Sequence, residues 1–551
     1  MAVIPKPGTE YEYAITVQVD GGGRWNIIEP QAAKKDTGWD YDEQPPRNYQ
    51  NWTHHMATLW FEYLQAMTDA NQKTCQFTIA DTDTSGDAWV QTADYVVATG
   101  ADATPVIEAA IAALPPAGGK IVLGPGIFEC KTTINPVTVA GCWIQGQGSN
   151  TTLRANGAAA LAVMDLDDWT YCAVTDLRLS QTGAAAYYNG IIVRNSKRFR
   201  IQRVLVEGFE GTASAYPFTP RSCPFAISLS TALIESCKVR LVNGGAAAET
   251  SECVLQNGGT VMVVNNEFTN ENFGGPDVDT SSPCIYTGLG VLICVDNDMD
   301  HCDVGVYLAT ANGSIVGRNK IRDMGGDGIS LDAMTGAIVD DNSISTVGGS
   351  GIALNATTEK NTVVNNHIDT TGADGISLEG TKNSLGNNYI DGATGNGILV
   401  DGESHSIKDS HVDACLAPAT AGINLLPTSI RCNVAGGEIT NCDVGIMTLA
   451  ASQDHNIHGL LVSDCVVNQA SFRGVVHFIH GNKFVLGPLN PAPPVGVNVD
   501  GDGGLLQQIL FTGNDCQGSG VFNIDDFGGG GAFANVQCLP IATPVPVANR
   551  S

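Results

Sequence analysis

Residues 328–332 read GISLD and residues 375–379 read GISLE, and the same phrase returns as GVYL at Gly305, GIAL at Gly351, GILV at Gly397, GINL at Gly422 and GIMT at Gly445. Successive starts lie 22 to 25 residues apart, a period too regular for chance and too short for a pair of helices. A second series runs in step with the first. Asn297, Asn319, Asn342, Asn366 and Asn388, each followed two residues later by Met or Ile, recur at 22 to 24 residues. Within GISLD, alternation sends Ile329 and Leu331 to one side and Ser330 and Asp332 to the other. The expected architecture is all-β: stacked coils of short strands, each pairing in parallel with the next about 4.8 Å away. Ile329, Leu331, Ile352, Leu354, Ile376 and Leu378 face its interior, and the asparagines form an inward hydrogen-bonded ladder. No long helix fits between 300 and 450.

This pattern resembles the right-handed parallel β-helix of the pectate-lyase-like superfamily. The hand is what the resemblance implies, in agreement with the crossover rule. A second stretch, ATGADATPVIEAAIAALPPAGGKIVLGPGIFECKTTI at 98–134, reads as a helix from Pro105 to Leu114, closed by PP and GG, then the strand KIVL, the turn GPG and the strand IFECKTTI. A short amphipathic helix there would cover the open apolar end of the stack. The order resembles the entrance to many such β-helices, phage tailspikes included, with the pattern D.T..I..AI......GG.V.LP.G.Y. Gly124 stands here where Pro is common, and Phe128 replaces Tyr.

At 551 residues the chain could hold several ordinary domains, but a solenoid grows by adding coils, so one long domain with attachments is expected. The expected division is an attachment domain of mixed α/β structure at 1–75, a linker and capping helix at 76–117, the β-helix at 118–470, and the last coils with a C-terminal cap at 471–551. Residues 76–100 are polar and irregular, as a linker would be. From 140 to 300 the register continues in NGIIV, FAISL and VNNEF, interrupted by long insertions that would line the flank of the stack. The basic cluster RNSKRFRIQR at 194–203 reads as a solvated corner or subunit contact rather than an anion site.

With 28 basic against 57 acidic residues, the net charge is −29. That excludes nucleic acid as a partner and favours neutral or weakly charged glycans over strongly anionic polymers. There is no run of 18 apolar residues, and MAVIPKPGTEYEYAI has no charged leader followed by an apolar core. Neither membrane insertion nor secretion is therefore expected. The 16 cysteines include no CxxC pair and no zinc-type spacing, so no metal or other cofactor is implied and the thiols read as small, reduced interior residues. Cys302, Cys415 and Cys442 fall five positions after the ladder point of their coils.

Upstream, Trp52, Met56, Leu59, Trp60, Tyr63, Leu64 and Met67 make one apolar stripe on a helical period. The preceding EQPPRNYQNW resembles the N-terminal segment of bacteriophage tail fibre and tailspike proteins, with Thr53 where that pattern usually has Leu. The resemblance implies a homotrimeric virion protein made in the host cytoplasm. It would dock on a phage tail or baseplate protein through residues 1–75 and recognise a bacterial surface polysaccharide, with or without depolymerising it.

Nucleotide-binding, zincin, nucleophile-elbow and EF-hand motifs are all missing from the sequence. What remains is a set of acids after the inward Leu or Val of successive coils: Asp332, Glu379 and Asp401. Glu379 and Asp401 stand one coil apart and Asp332 two coils from Glu379, separations of about 5 and 10 Å. Glycosidases hold their carboxyls about 5–5.5 Å apart for retention and about 6.5–9.5 Å for inversion. Glu379 and Asp401 are therefore the candidate catalytic pair of a glycoside hydrolase, with Asp332 as the alternative partner. Two other classes share the fold: a non-catalytic adhesin or structural virion component, and a polysaccharide lyase or epimerase. The lyase would need a free base, and Arg318, Lys320, Arg322, Lys382 and Lys408 are the scattered candidates.

Overall fold

A computed structural model describes residues 75–82, 87–157, 162–181, 189–207, 223–241, 252–270, 283–415, 417–474 and 477–485, and short strands beyond these as far as 537. The expected attachment domain lies outside the described residues. The chain divides into two compact units, Met1–Val206 with Ser228–Cys237, and Glu207–Ile227 with Lys238–Ser551.

In the first unit the stack begins earlier than its polar sequence suggests. Gln76–Asp81, inside the expected linker, is a strand paired in parallel with both Tyr95–Val97 and Gly119–Leu123. Ile79 and Ala80 are fully buried, so this rung is held by inward apolar contacts too few to show as a periodicity. The capping helix runs Thr104–Ala112 and buries Ile107, Ala110 and Ile111. The D.T of its leading motif has a local cause: the Asp102 carboxylate accepts the Thr104 and Lys131 amides at 3.1 and 3.0 Å and the Thr132 hydroxyl at 3.0 Å. Those bonds tie the helix to the chain leaving the strand Gly126–Cys130. The basic cluster is neutralised within the unit. Arg194 binds Asp165, Arg200 binds Glu235 and Arg203 binds Asp176, while Arg198 lies 4.9 Å from the Tyr171 ring centroid.

The second unit is a parallel β-helix with three strands per coil. One sheet carries the repeated phrase: Val304–Leu308, Ile329–Leu331, Ile352–Leu354, Ile376–Leu378, Ile398–Val400 and Ala421–Leu425 pair in register. A second sheet includes Thr362–Val364, Ser384–Gly386 and Ser406–Lys408, and a third includes His367–Thr371, Tyr389–Ala393 and His411–Asp413. The six expected core residues have zero exposure. Strands keep pairing in parallel as far as Val536–Gln537, so coils extend beyond 470.

The invariant glycine of the phrase makes room for its own coil. A Cβ on Gly375 would stand 2.3 Å from Ile390 Cγ2 and 2.6 Å from the Gly397 carbonyl oxygen; on Gly328 it would stand 2.6 Å from Ile344 Cγ2. The isoleucine two places after each ladder asparagine packs back onto the glycine that opened the coil, which is why the two repeats keep step.

The asparagine ladder runs as the spacing predicts. Asn297, Asn319, Asn342, Asn366 and Asn388 each accept on Oδ1 the backbone N–H of the asparagine one coil earlier, at 3.0 to 3.1 Å, beginning with Asn266. The residue before each member turns the corner at a left-handed φ between 52° and 59°. Such a backbone costs about 1 kcal/mol for a residue with a side chain, and the buried ladder bonds offset it.

Candidate functional site

Glu379 and Asp401 each follow the last strand residue of the repeated phrase, and both are followed by a glycine that turns the chain. Gly380 has φ +83° and Gly402 φ +105°, and a Cβ on Gly402 would meet the Gly380 carbonyl oxygen at 2.0 Å. Only glycine allows these corners to stack so closely. The register Leu378↔Val400 puts the two acids on neighbouring rungs. Both are half-buried.

Below the surface a second interior ladder anchors them. Asn383 Nδ2 donates to the Glu379 carbonyl at 2.8 Å, and His405 Nε2 lies 3.0 Å from the Asp401 carbonyl. The Asn383 amide donates to His405 Nδ1 at 3.3 Å. A carbonyl accepts and an amide donates, so His405 is the neutral Nε2–H tautomer. It takes the place that an asparagine holds one coil earlier.

Burial, and then the charge of Asp401, hold the Glu379 carboxyl above its ordinary value, opposed by a hydrogen bond from the Ala356 backbone. The Asp401 carboxylate accepts the Thr428 hydroxyl. Asp332 is placed differently: it lies two rungs from Glu379, with Asn355 between them. It accepts the Tyr307 hydroxyl at 3.2 Å and the Thr357 hydroxyl at 3.4 Å. The row expected to face freely outward beside these acids is partly covered. Ser330 and Asn424 are 5% and 7% exposed, because the turn residues Asp327 and Asn396 fold over them with hydrogen bonds.

A second row of acids went unread in the sequence. On the third sheet Asp369, Asp391 and Asp413 are in register, and two residues before them His367, Tyr389 and His411 stack with centroids 4.9 and 4.8 Å apart. Burial, then the charges of Asp413 and Asp369, raise the Asp391 carboxyl above its usual range. Asp413 accepts hydrogen bonds from Thr440 and Asn441, both at 2.8 Å. The signal is present in the sequence, where HID follows Asn366, YID follows Asn388 and HVD follows Ser410.

Two groups could hold a metal ion among the described residues: the buried Cys253, Cys284 and Cys302, and the half-exposed Asp300, His301 and Asp323. In the second group Asp300 is already paired with Arg322 and lies 2.6 Å from His301 Nδ1.

The family of right-handed β-helix regions matches residues 281–414. The fold is a right-handed parallel β-helix. No curated protein matches the chain in sequence. Among solved structures, the Dettilon tailspike protein is 15% identical over 76% of this chain and 66% of its own, with a TM-score of 0.36. Tailspike protein 3 of bacteriophage CBA120 is 11% identical over 76% and 59%, TM-score 0.41. The A-module of the Azotobacter vinelandii mannuronan C-5 epimerase AlgE4 is 10% identical over 79% and 96%, TM-score 0.28. The chain thus spans about three-fifths to two-thirds of those tailspikes' length. These likenesses concern the fold alone.

Proposed function

We propose that the protein binds a neutral or weakly charged polysaccharide and hydrolyses it between Glu379 and Asp401. The observation that carries this reading is one carboxyl held above its ordinary value beside a neighbouring carboxylate. Burial and the Asp401 charge favour the protonated form of Glu379, as a general acid requires. Glu379 would give its proton to the glycosidic oxygen while Asp401 acts at the anomeric carbon. Rungs about 4.8 Å apart match the shorter carboxyl separation, that of retention. Elimination has less support, because three of its five candidate bases are occupied. Arg318 forks onto Asp296 with both contacts at 2.8 Å, Arg322 pairs with Asp298 and Asp300, and Lys382 reaches Glu359.

A second reading moves the same chemistry to the third sheet. There Asp391 is the acid favoured in its protonated form, and the stacked rings of His367, Tyr389 and His411 offer a face for a pyranose. In a virion the same protein would be a tailspike, docked through residues 1–75 and assembled as a homotrimer. If no acid is catalytic, it is an adhesin.

The deciding experiment incubates the purified protein with surface polysaccharide from a susceptible host and assays both retention and release of reducing ends. Glu379→Gln should lower turnover by about 10² to 10⁴ while retention persists. Full activity in Glu379→Gln with loss in Asp391→Asn would transfer the site to the third sheet. Retention with no release in the wild type would leave a binding protein.

A further inference from the structure

Cys253 comes from one coil and Cys284 and Cys302 from the next, and their sulfur atoms all lie within 4.8 Å of one another. Register explains the convergence. Val254 pairs with Ile285, and Ile285 with Val306, so Cys253, Cys284 and Gly305 occupy one position on successive rungs. In later coils that position is glycine, and the corner cysteine points at it: a Cβ on Gly397, Gly422 or Gly445 would stand 3.2, 3.3 or 3.1 Å from the sulfur of Cys415, Cys442 or Cys465. Cys302 is the corner cysteine of its own coil. On the two rungs that precede Gly305, the position is filled by thiols instead of being left open. Three sulfurs therefore meet where the later coils bring one corner sulfur to each glycine.

All three are interior, with exposures of 0%, 0% and 4% for Cys253, Cys284 and Cys302. We propose that Cys253, Cys284 and Cys302 form a binding site for one soft monovalent metal ion of the Cu⁺ class, held by sulfur alone. Three sulfurs on a metal at about 2.3 Å lie about 3.8 to 4.0 Å from each other, so the thiols need to close by less than roughly 1 Å, within the reach of a χ1 adjustment. Softness selects the ion, since thiolates prefer Cu⁺, Zn²⁺ and iron–sulfur species. Ligand number selects among them. Structural zinc and iron–sulfur clusters take four protein ligands, whereas the group that meets here among the described residues offers three sulfurs. Burial also means that the ion enters as the coils close or during local opening, so loading is coupled to folding.

The test uses the full chain, purified under reductant and equilibrated anaerobically with Cu⁺ against the chelator bathocuproine disulfonate. The wild type should retain one more Cu⁺ per chain than Cys302→Ala or Cys284→Gly. Both substitutions install a residue that an equivalent rung already carries, Ala393 and Gly305 respectively, which favours folding. Cys442→Ala, outside the trio, should retain as much as the wild type. X-ray absorption of the loaded wild type should show sulfur neighbours only, and loading should raise the unfolding temperature of the wild type but not of Cys302→Ala. Equal retention in the wild type, Cys302→Ala and Cys284→Gly, or nitrogen and oxygen around the copper, would overturn the assignment.

Discussion

Acid should loosen this coil stack through its buried histidines, and His405 is the one that bears on the candidate pair. His405 is fully buried with both ring nitrogens committed, Nδ1 accepting the Asn383 amide and Nε2–H donating to the Asp401 carbonyl. A proton on Nδ1 would point at another N–H. Burial, opposed by the hydrogen bonds to Asp401 and Asn383, brings the His405 pKa from 6.5 down to about 4. The unfolded chain therefore takes up the proton first. The stabilisation is complete above about pH 6.5 and is lost as pH falls toward the folded value of about 4. At pH 4.5 the loss amounts to about 2 to 3 kcal/mol at 1.36 kcal/mol per unit.

His405→Asn isolates this contribution, because asparagine already does the same work one coil earlier. Asn383 accepts the Asn361 amide at 2.9 Å and donates to the Glu379 carbonyl at 2.8 Å. Urea unfolding of both proteins at pH 7.5 and pH 4.5 is the assay. The wild type should lose about 2 to 3 kcal/mol more than the variant between those conditions. Equal losses, with the variant folded and cooperative at pH 7.5, would show that His405 is not held neutral by the fold.

Gly375→Ala should destabilise by at least the ~1 to 3 kcal/mol of an overpacked core, because its new methyl would stand 2.3 Å from Ile390 Cγ2 and 2.6 Å from a backbone oxygen; a change under about 0.5 kcal/mol in the same urea assay would contradict the packing account. If Glu379 is the general acid, activity should fall as pH rises through a pKa lying above the ordinary glutamate value, since burial and Asp401 both raise it. Asp401→Asn should move the Glu379 titration, followed by carboxyl ¹³C chemical shift, to lower pH, and an unmoved titration would remove Asp401 as its electrostatic partner.

What could be read from the sequence was whatever repeats as a letter. Gly375 must be glycine because Ile390 fills its side-chain space, and Asn366 must be asparagine because it accepts from one coil while donating to carbonyls. Those demands print themselves every coil. The second interior ladder does not, because its places are taken in turn by Ala337, Asn361, Asn383, His405, Cys432, His455 and His477. What recurs at five of those seven places is a ring nitrogen or amide oxygen at one point in space, with Ala337 and Cys432 only donating through their backbone. The cysteine trio was hidden for a related reason: Cys253 and Cys284 are neighbours across coils and Cys302 meets them only when its coil closes, whereas short-spacing motifs search along the chain. The rung Gln76–Asp81 was hidden by brevity, having two apolar residues fully buried in a polar stretch.

The same backbone explains why an interior ladder bears on the outer acids. The carbonyls of Glu379 and Asp401 are held from inside by Asn383 and His405, while their side chains leave from the other side of the chain. The turn after each acid is fixed by a glycine that no other residue can replace without meeting the rung below. Spacing between the two carboxyls is thus set by the rise of the coil, and their orientation by buried hydrogen bonds four residues downstream. A change inside the stack at Asn383 or His405 would be felt at the surface as a misplaced acid, although neither side chain touches solvent. Protonating His405 would set Nδ1–H against the Asn383 amide while Nε2–H still donates to the Asp401 carbonyl, so acid would disturb the ladder first at Asn383, whose side chain holds the Glu379 carbonyl.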